Sequence, residues 1–196
     1  PHNFIHNIFF ISLGFFYFIY IFFIGKVSKQ KIYYLSIIFI LLLSGLILAK
    51  NNEDFSYYHL PNTIQFFEQK LQFGLGNLNH GFKHISSIFL LNSIFIFPKI
   101  KYFLINISNF FLLVFSVYYL IYNIFFRDKV ANSIKTINLI SLILILTKFS
   151  RLAEYGTDIF GQFLIILVIL ETIIFSYKKK FILNNDKNDF LFINIL

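Results

Sequence analysis

The sequence contains no cysteine, methionine or tryptophan, and it is poor in charge. Without cysteine the chain has no disulfide bond, no metal site built on thiolates and no cysteine nucleophile. Charged residues make up 13% of the 196 residues, whereas a soluble domain carries about 25%. These absences exclude a water-soluble globular enzyme.

The sequence is correspondingly rich in apolar residues. Hydrophobic residues account for 58% of the chain and aromatic residues for 21%, and the mean hydropathy is +0.73. The net charge is +8, but the lysines lie in short clusters between apolar segments. This pattern is typical of membrane topology and not of a nucleic-acid-binding surface. We predict a polytopic membrane protein whose partner is the lipid bilayer, with no nucleic acid.

The apolar segments predict an all-α transmembrane helix bundle that forms a single domain over residues 1–196. Because a helix needs about 20 apolar residues to cross a bilayer, we expect about five spans plus a truncated sixth. The five spans are residues 4–24, 32–49, 102–126, 136–149 and 159–177. The truncated sixth span begins in the apolar run at 190–196. Because this run is too short to cross and the sequence contains no methionine, we expect a fragment of a longer protein.

Basic residues at the ends of spans predict which loops are cytoplasmic. The densest clusters lie at residues 26–31, 127–135 and 178–187, and one topology places all of them inside. Residues 50–101 and 148–158 then lie outside, together with most of the acidic residues.

The outside loop 50–101 is predicted to contain two interfacial helices. Pro61 suits the first turn of a helix, and the apolar spacing after it predicts an amphipathic helix over 62–73 that lies on the membrane. Residues 85–97 are apolar but too few to cross, and Pro98 ends them. The alternative is a short crossing by 85–97, which would reverse the side of every later loop.

The first candidate functional residues are Glu53 and Asp54, a few residues beyond the end of the second span. A carboxylate there can act as a general base, or its oxygen atoms can hold a divalent cation. A solvated loop position without chemistry is the alternative. Tyr58, His59 and His80 follow in the same loop. The histidines lack a compact zinc signature, so they contact a phosphate, position a carboxylate or have a structural role.

The second outside loop, 148–158, is also polar. Arg151 is suited to bind an anionic ligand, and Glu154 or Asp158 supplies a further carboxylate. The structural alternatives are an ion pair between Arg151 and Glu154, three residues apart, and stabilisation of a helix N-terminus by Asp158.

This layout resembles the first outside loop of GT-C-type glycosyltransferases, in which an acidic residue follows an early span and interfacial helices come next. The stretches 54–61 and 74–80 also look like a family of large uncharacterised bacterial membrane proteins, and 151–158 is similar to a second element of those proteins. Asn79 stands before His80, a one-residue departure from the family's pattern.

The resemblance implies an enzyme that moves a sugar from a polyprenyl-phosphate-linked donor to an acceptor at the outer face of a bacterial inner membrane. Asp54 takes the position of the catalytic base, and the adjacent Glu53 is the alternative candidate for that role. The substrate-binding residues that we predict with them are Tyr58, His59, His80, Lys83, Arg151, Glu154 and Asp158. Some related enzymes need Mg²⁺ or Mn²⁺ and others do not, so no cofactor is assigned.

Two other function classes stay open. A lipid-linked oligosaccharide flippase or another transporter would carry polar residues within its spans, and here the sequence offers few, among them Asn109 and Glu171. An O-antigen-type polymerase or ligase uses the same donors with loop arginines, and this chain has only Arg127 and Arg151. The concentration of polar residues in the outside loops favours chemistry at the membrane surface.

The absence of cysteine makes the topology testable with single introduced cysteines. Asn79→Cys and Lys99→Cys should both react with an impermeant thiol reagent added from outside, because both lie in loop 50–101. Lys129→Cys should react only after the membrane is permeabilised. Protection of the Lys99→Cys protein alone would mean that residues 85–97 cross.

Overall fold

The computed structural model describes residues 4–24, 27–48, 52–69, 74–83, 86–97, 99–100, 102–127, 131–154 and 158–182. Within these ranges the chain is helical and forms no strand. Four helical segments are long and apolar enough to cross a membrane. The prediction of an all-helical, multi-pass membrane protein is confirmed at this level. The truncated sixth span falls outside the described residues.

The long helices follow the predicted spans closely, with shifted ends. They are α1 (Phe4–Ile24), α2 (Lys29–Leu42), α3 (Ser44–Ile47), α7 (Ile107–Phe125) and α9 (Asp158–Ile182). Helices α2 and α3 are separated only by Leu43 and together form one span, Lys29–Ile47. Helix α7 begins later than expected, since the residues from 102 to 106 form turns.

Helix α8 (Asn132–Thr147) has 16 residues, fewer than the long spans. It continues into a 3₁₀ turn, Phe149–Glu154. Near the end of α7, the Nδ2 atom of Asn123 donates to the Oδ1 atom of Asn138, close to the middle of α8, at 3.4 Å. Beyond its end, the Nδ2 atom of Asn106 donates to the carbonyl oxygen of Leu152, at 2.8 Å. Helix α8 and the 3₁₀ turn that follows it therefore run antiparallel to α7, along the length of α7.

Short helices occupy the long connection between α3 and α7. They are a π-helical turn (Phe55–His59), α4 (Leu60–Glu68), α5 (Leu75–Leu78), a 3₁₀ turn (His80–Lys83) and α6 (Ser87–Ser93). Helix α4 begins earlier than the predicted 62–73 and ends at Glu68, because Gln69 has an extended backbone. Helix α6 has 7 residues, or about 10 Å of length, against the ~30 Å of a bilayer core.

Helix α7 lies at the centre of the bundle. Half of its span is buried, compared with 17% for α2–α3 and 22% for α9. Its buried apolar side chains are Phe110, Leu113, Val114, Val117 and Leu120. Phe39 of α2 packs edge-on against Phe110, with ring centroids 5.0 Å apart.

Helix α1 is peripheral, and Asn7 is its one buried residue among those described. The Nδ2 atom of Asn7 donates to the carbonyl oxygens of Ser93, at 3.0 Å, and Ile96, at 3.4 Å. The rings of Phe4 and Phe97 meet edge to face close by. Helix α1 is thus attached near its N-terminus, next to α6.

The two ends of the bundle differ in chemistry. The loop end carries the described residues between 52 and 100, the start of α7 and the 3₁₀ turn after α8. The basic end carries the start of α2 and the end of α7, where the Lys31 ammonium lies 5.0 Å from the centre of the Tyr122 ring. There the Nη1 atom of Arg127 donates to the Oδ1 atom of Asn123, at 3.0 Å.

Polar side chains are buried between the long helices, more of them than the sequence analysis singled out. Those on α7 and α8 are Ser108, Asn109, Ser116, Asn123, Asn138 and Ser141. The Ser108 hydroxyl donates to Asn92 of α6, and Asn123 bonds to Asn138 of α8. Hydrogen bonds of this kind hold helices together in hydrocarbon, where burial of apolar surface provides no driving force. Glu171 is half-buried on α9.

Asn123 should therefore contribute to the stability of the bundle. Asn123→Leu removes the partner of both Asn138 and Arg127 and should cost about 1–2 kcal/mol. Asn132→Leu is the matched control, because Asn132 is exposed at the first turn of α8. Thermal unfolding in detergent, followed by circular dichroism, measures both. Equal midpoints for the two variants would contradict this role for Asn123.

Candidate functional site

The long connection is organised around three polar residues that are buried: His59, Asn62 and Thr63. The Thr63 hydroxyl donates to the carbonyl oxygen of His59, at 2.7 Å. The Nδ2 atom of Asn62 donates to the carbonyl oxygens of Tyr58, at 2.7 Å, and Gly81, at 3.1 Å. These bonds join α4 to the π-helical turn before it and to the 3₁₀ turn after it.

Gly81 is required for this arrangement. A Cβ atom on Gly81 would lie 2.8 Å from the carbonyl oxygen of Tyr57 and 3.1 Å from the Cβ atom of Tyr58. Backbone atoms do not move aside easily, so only glycine permits the approach. The N–H group of Gly81 donates to the Oδ1 atom of Asn79, at 2.8 Å. The Asn79–His80–Gly81 stretch is therefore a packing element as well as a turn.

An aromatic cluster joins the π-helical turn to α6. The rings of Tyr58 and His59 lie 4.2 Å apart, and Phe89 of α6 packs edge-on against both. His59 is 2% exposed, and Phe89 is 1% exposed. The cluster fixes Tyr58, which is half-buried, at the boundary between the packed loop and open space.

Tyr58 and Asp158 lie on the wall of the same cleft, which we call the Asp158 cleft. It lies between the π-helical turn, the start of α6 and the start of α9, and its volume is about 560 Å³. Its polar lining residues are Tyr58, Ser86, Ser87, Asp158 and Gln162. Gly161 widens the cleft, since a Cβ atom there would meet nothing within 4 Å.

The charges of two carboxylates act on the Tyr58 phenol. Burial raises the pKa of the Tyr58 phenol above its ordinary value, and the negative charges of Asp158 and then Asp54 raise it further. Asp54 lies one helical turn before Tyr58, so it occupies the same side of the chain. The structure thus brings together Asp54, Tyr58 and Asp158 from segments that are far apart in the sequence.

The other predicted site residues lie elsewhere. His59 is buried behind Tyr58, and His80 and Lys83 are exposed on the 3₁₀ turn. Arg151 is exposed on the turn after α8, and none of the four lines the Asp158 cleft. The side chain of Glu154 falls outside the described residues. Glu53 is exposed, and its carbonyl oxygen accepts a hydrogen bond from the Ser56 hydroxyl, at 3.2 Å.

Sequence reasoning missed Ser86, Ser87 and Gln162. The two serines stand directly before an apolar run, which is the signal of a helix N-cap. The Ser86 hydroxyl accepts a hydrogen bond from the N–H group of Ile88, at 3.4 Å. Gln162 lies one turn after Asp158, a spacing that places both on one face of α9.

A divalent cation would have few protein ligands in this cleft. In the part of the chain that the structure describes, no three His, Asp or Glu side chains come together to hold a metal ion. Magnesium is commonly bound by one or two carboxylates together with waters and substrate phosphates. Asp158 is therefore the one carboxylate of this cleft that could contact a cation arriving with a phosphorylated substrate.

Comparisons with protein families, curated proteins and solved structures gave no match to this chain. The resemblance to GT-C-type glycosyltransferases consequently depends on the sequence motifs alone and stays a prediction.

The two carboxylates should be detectable in the titration of Tyr58. Asp158→Asn should lower the pKa of the Tyr58 phenol more than Asp54→Asn does, and Glu53→Gln should leave it unchanged. Alkaline difference absorbance, with Tyr58→Phe subtracted in each background, measures the shift. Because the phenol's pKa is raised by folding, its contribution to stability is present at neutral pH and is lost as the pH rises through that pKa. A shift of the same size with Glu53→Gln would contradict the assignment.

Proposed function

We propose that the protein is a membrane glycosyltransferase that moves a sugar from a polyprenyl-phosphate-linked donor to an acceptor at the outer face of the membrane. The observation that carries this proposal is a cleft on the loop end of the bundle that Tyr58 and Asp158 both line, with the charge of Asp54 acting on the same phenol. Carboxylates beside a phenol in a cleft supply the groups that general acid–base chemistry needs.

The proposed topology places this cleft outside. The proposed membrane-crossing segments are α1, α2–α3, α7, α8 and α9. Helix α8 is included because it runs alongside α7. Basic residues prefer the cytoplasmic side, so the basic end faces inward and the loop end outward. Helices α4 and α6 then lie at the outer interface, where a substrate with a lipid tail presents its head group.

The proposed chemistry is attack of an acceptor hydroxyl on the anomeric carbon of the donor sugar. The new bond forms on the face opposite the phosphate, the bond from the sugar to the phosphate breaks, and the hydroxyl proton moves to a carboxylate. Asp158 is the better placed base, because it lines the cleft and Asp54 does not. Asp54 is the second carboxylate, so the cleft reverses the order in which the sequence ranks the two.

Tyr58 and the nearby cations have supporting roles in this proposal. A tyrosine phenol is protonated at neutral pH even at its ordinary pKa, and the pKa of Tyr58 is raised further, so Tyr58 can donate a hydrogen bond to a sugar or phosphate oxygen. Lys83 and Arg151 are exposed and would attract an anionic donor to this end of the bundle without binding it in the cleft. If a cation takes part, Asp158 would be its ligand in the cleft, and the cation would offset charge on the leaving phosphate.

The buried amides support surface chemistry over transport through the spans. A transporter places polar groups at a substrate site near the middle of the bilayer. Here Asn123 bonds to Asn138 and Arg127, and Asn106 bonds to Leu152. These amides are engaged between helices, while the polar cleft lies at the loop end.

The test is sugar transfer from a polyprenyl-phosphate donor, measured with the protein in vesicles. Asp158→Asn should lower the rate by about 10²–10⁴-fold, the usual effect of losing a general base. Asp54→Asn should also lower it, and Glu53→Gln, one position away, should not, because the charge of Asp54 and not that of Glu53 acts on Tyr58.

The same series separates the remaining possibilities. Loss of transfer in Asp54→Asn with full activity in Asp158→Asn would return the role of base to Asp54. Wild-type turnover in both aspartate variants would mean that these carboxylates are only solvated loop residues, and the proposed function would lose its support.

A further inference from the structure

A polar pocket lies between the start of α2 and the end of α7, at the basic end of the bundle and away from the Asp158 cleft. Its volume is about 210 Å³. Both helices belong to segments that are long and apolar enough to cross a membrane, so the pocket lies where two spans end. We call it the tyrosine pocket after three of its polar lining residues, which are Ser28, Gln30, Lys31, Tyr34, Tyr118 and Tyr122.

The lining of the tyrosine pocket is suited to an anion. Its polar groups are one ammonium, three phenols, one amide and one hydroxyl, all of which can donate hydrogen bonds. Lys31 carries the positive charge, and none of the described lining residues has a carboxylate. A group with a negative charge and several oxygen atoms would therefore find both a charged partner and several donors there.

The Lys31 ammonium is held at the pocket by an aromatic ring. It lies 5.0 Å from the centre of the Tyr122 ring, a distance at which a cation is attracted to the face of a tyrosine. Lys31 belongs to the first turn of α2, which has 14 residues and no acidic residue in that turn. The partial positive charge of the helix N-terminus therefore adds to the charge of Lys31.

The phenols of the pocket are positioned by packing and by a hydrogen bond. The Nε2 atom of Gln30 donates to the Tyr34 hydroxyl oxygen, at 3.3 Å, which leaves the hydroxyl proton of Tyr34 to be donated elsewhere. The Tyr34 ring packs on Phe126, with centroids 4.8 Å apart. The Tyr118 and Tyr122 rings stack at 6.3 Å. The donors are thus arranged before any ligand binds.

The position of the pocket identifies the source of the anion. Lipid phosphate groups lie at the ends of membrane spans, where tyrosine side chains are also enriched, and basic pockets between spans bind anionic head groups. Ile121 and Phe126 add apolar walls beside the donors. We infer that the tyrosine pocket binds the phosphate group of an anionic phospholipid from the leaflet at the basic end. Lys31 pairs with the phosphate, and Tyr34 donates a hydrogen bond to it.

The test measures binding of phosphatidylglycerol to the full chain in detergent by native mass spectrometry. Lys31→Gln should weaken the first binding event by about tenfold or more, because a hydrogen bond between two charged groups is lost. Tyr34→Phe should weaken it by about fivefold, and it keeps the ring that packs on Phe126. Zwitterionic phosphatidylcholine should bind more weakly than phosphatidylglycerol to the wild-type protein.

Each variant has a matched control next to it in the sequence. Lys29→Gln makes the same change of charge on an exposed side chain that does not line the pocket, so it should alter the affinity by about twofold at most. Tyr33→Phe removes the hydroxyl of a tyrosine that is 62% exposed and lies outside the pocket. It should leave the affinity unchanged.

Three results would overturn the inference. Equal affinities in Lys31→Gln and Lys29→Gln would mean that net charge alone attracts the lipid. Equal wild-type affinities for phosphatidylglycerol and phosphatidylcholine would remove the preference for an anion. Displacement of the lipid by excess inorganic phosphate would assign the pocket to a soluble phosphate. Lipid binding is read without any sugar transfer, so failure of the proposed function would leave this site standing.

Discussion

The burial of α7 among the other helices is the constraint on which most of the remaining packing depends. Helices α2, α3, α6, α8 and α9 all contact it. Apolar side chains such as Phe110 and Leu113 fill the contacts. The amides of Asn106 and Asn123, near the two ends of α7, align α8 and the turn after it by hydrogen bonds. In lipid those bonds have few competitors, so their positions set how far each helix slides along its neighbour.

The position of α7 also determines where the candidate site forms. Asn92 of α6 accepts a hydrogen bond from Ser108 near the start of α7, which places α6 at the loop end. Phe89 of α6 then holds the rings of Tyr58 and His59, and Gly81 allows the 3₁₀ turn to close against them. Helix α9 packs on α7 through its own apolar face, and this packing brings Asp158 to Tyr58. The site is therefore a consequence of helix packing at one end of the bundle.

Helix α1 differs from the other long helices because most of its surface contacts lipid and not the bundle. Its exposed side chains are almost entirely apolar, so lipid solvates them as well as another helix would. Only the Asn7 amide gains clearly from contact with the bundle, because its donors would otherwise lie unbonded in hydrocarbon. One polar contact near one end leaves the rest of the helix free to border a cleft, and Gly14 lies on its wall.

The sequence by itself determined the membrane class and the positions of the long helices, because hydropathy over about 20 residues is a local property. It also identified Asp54, Tyr58 and Asp158 as candidates from their residue types and their places next to spans. The predicted ends of α4 and α6 are less accurate, since α4 covers Leu60–Glu68 where the prediction is 62–73, and α6 covers only Ser87–Ser93 of the apolar residues 85–97. Only the tertiary structure decided that Asp158 faces Tyr58 and that His59 is buried, because these pairings join distant segments through α6 and α7 and leave no trace in local spacing.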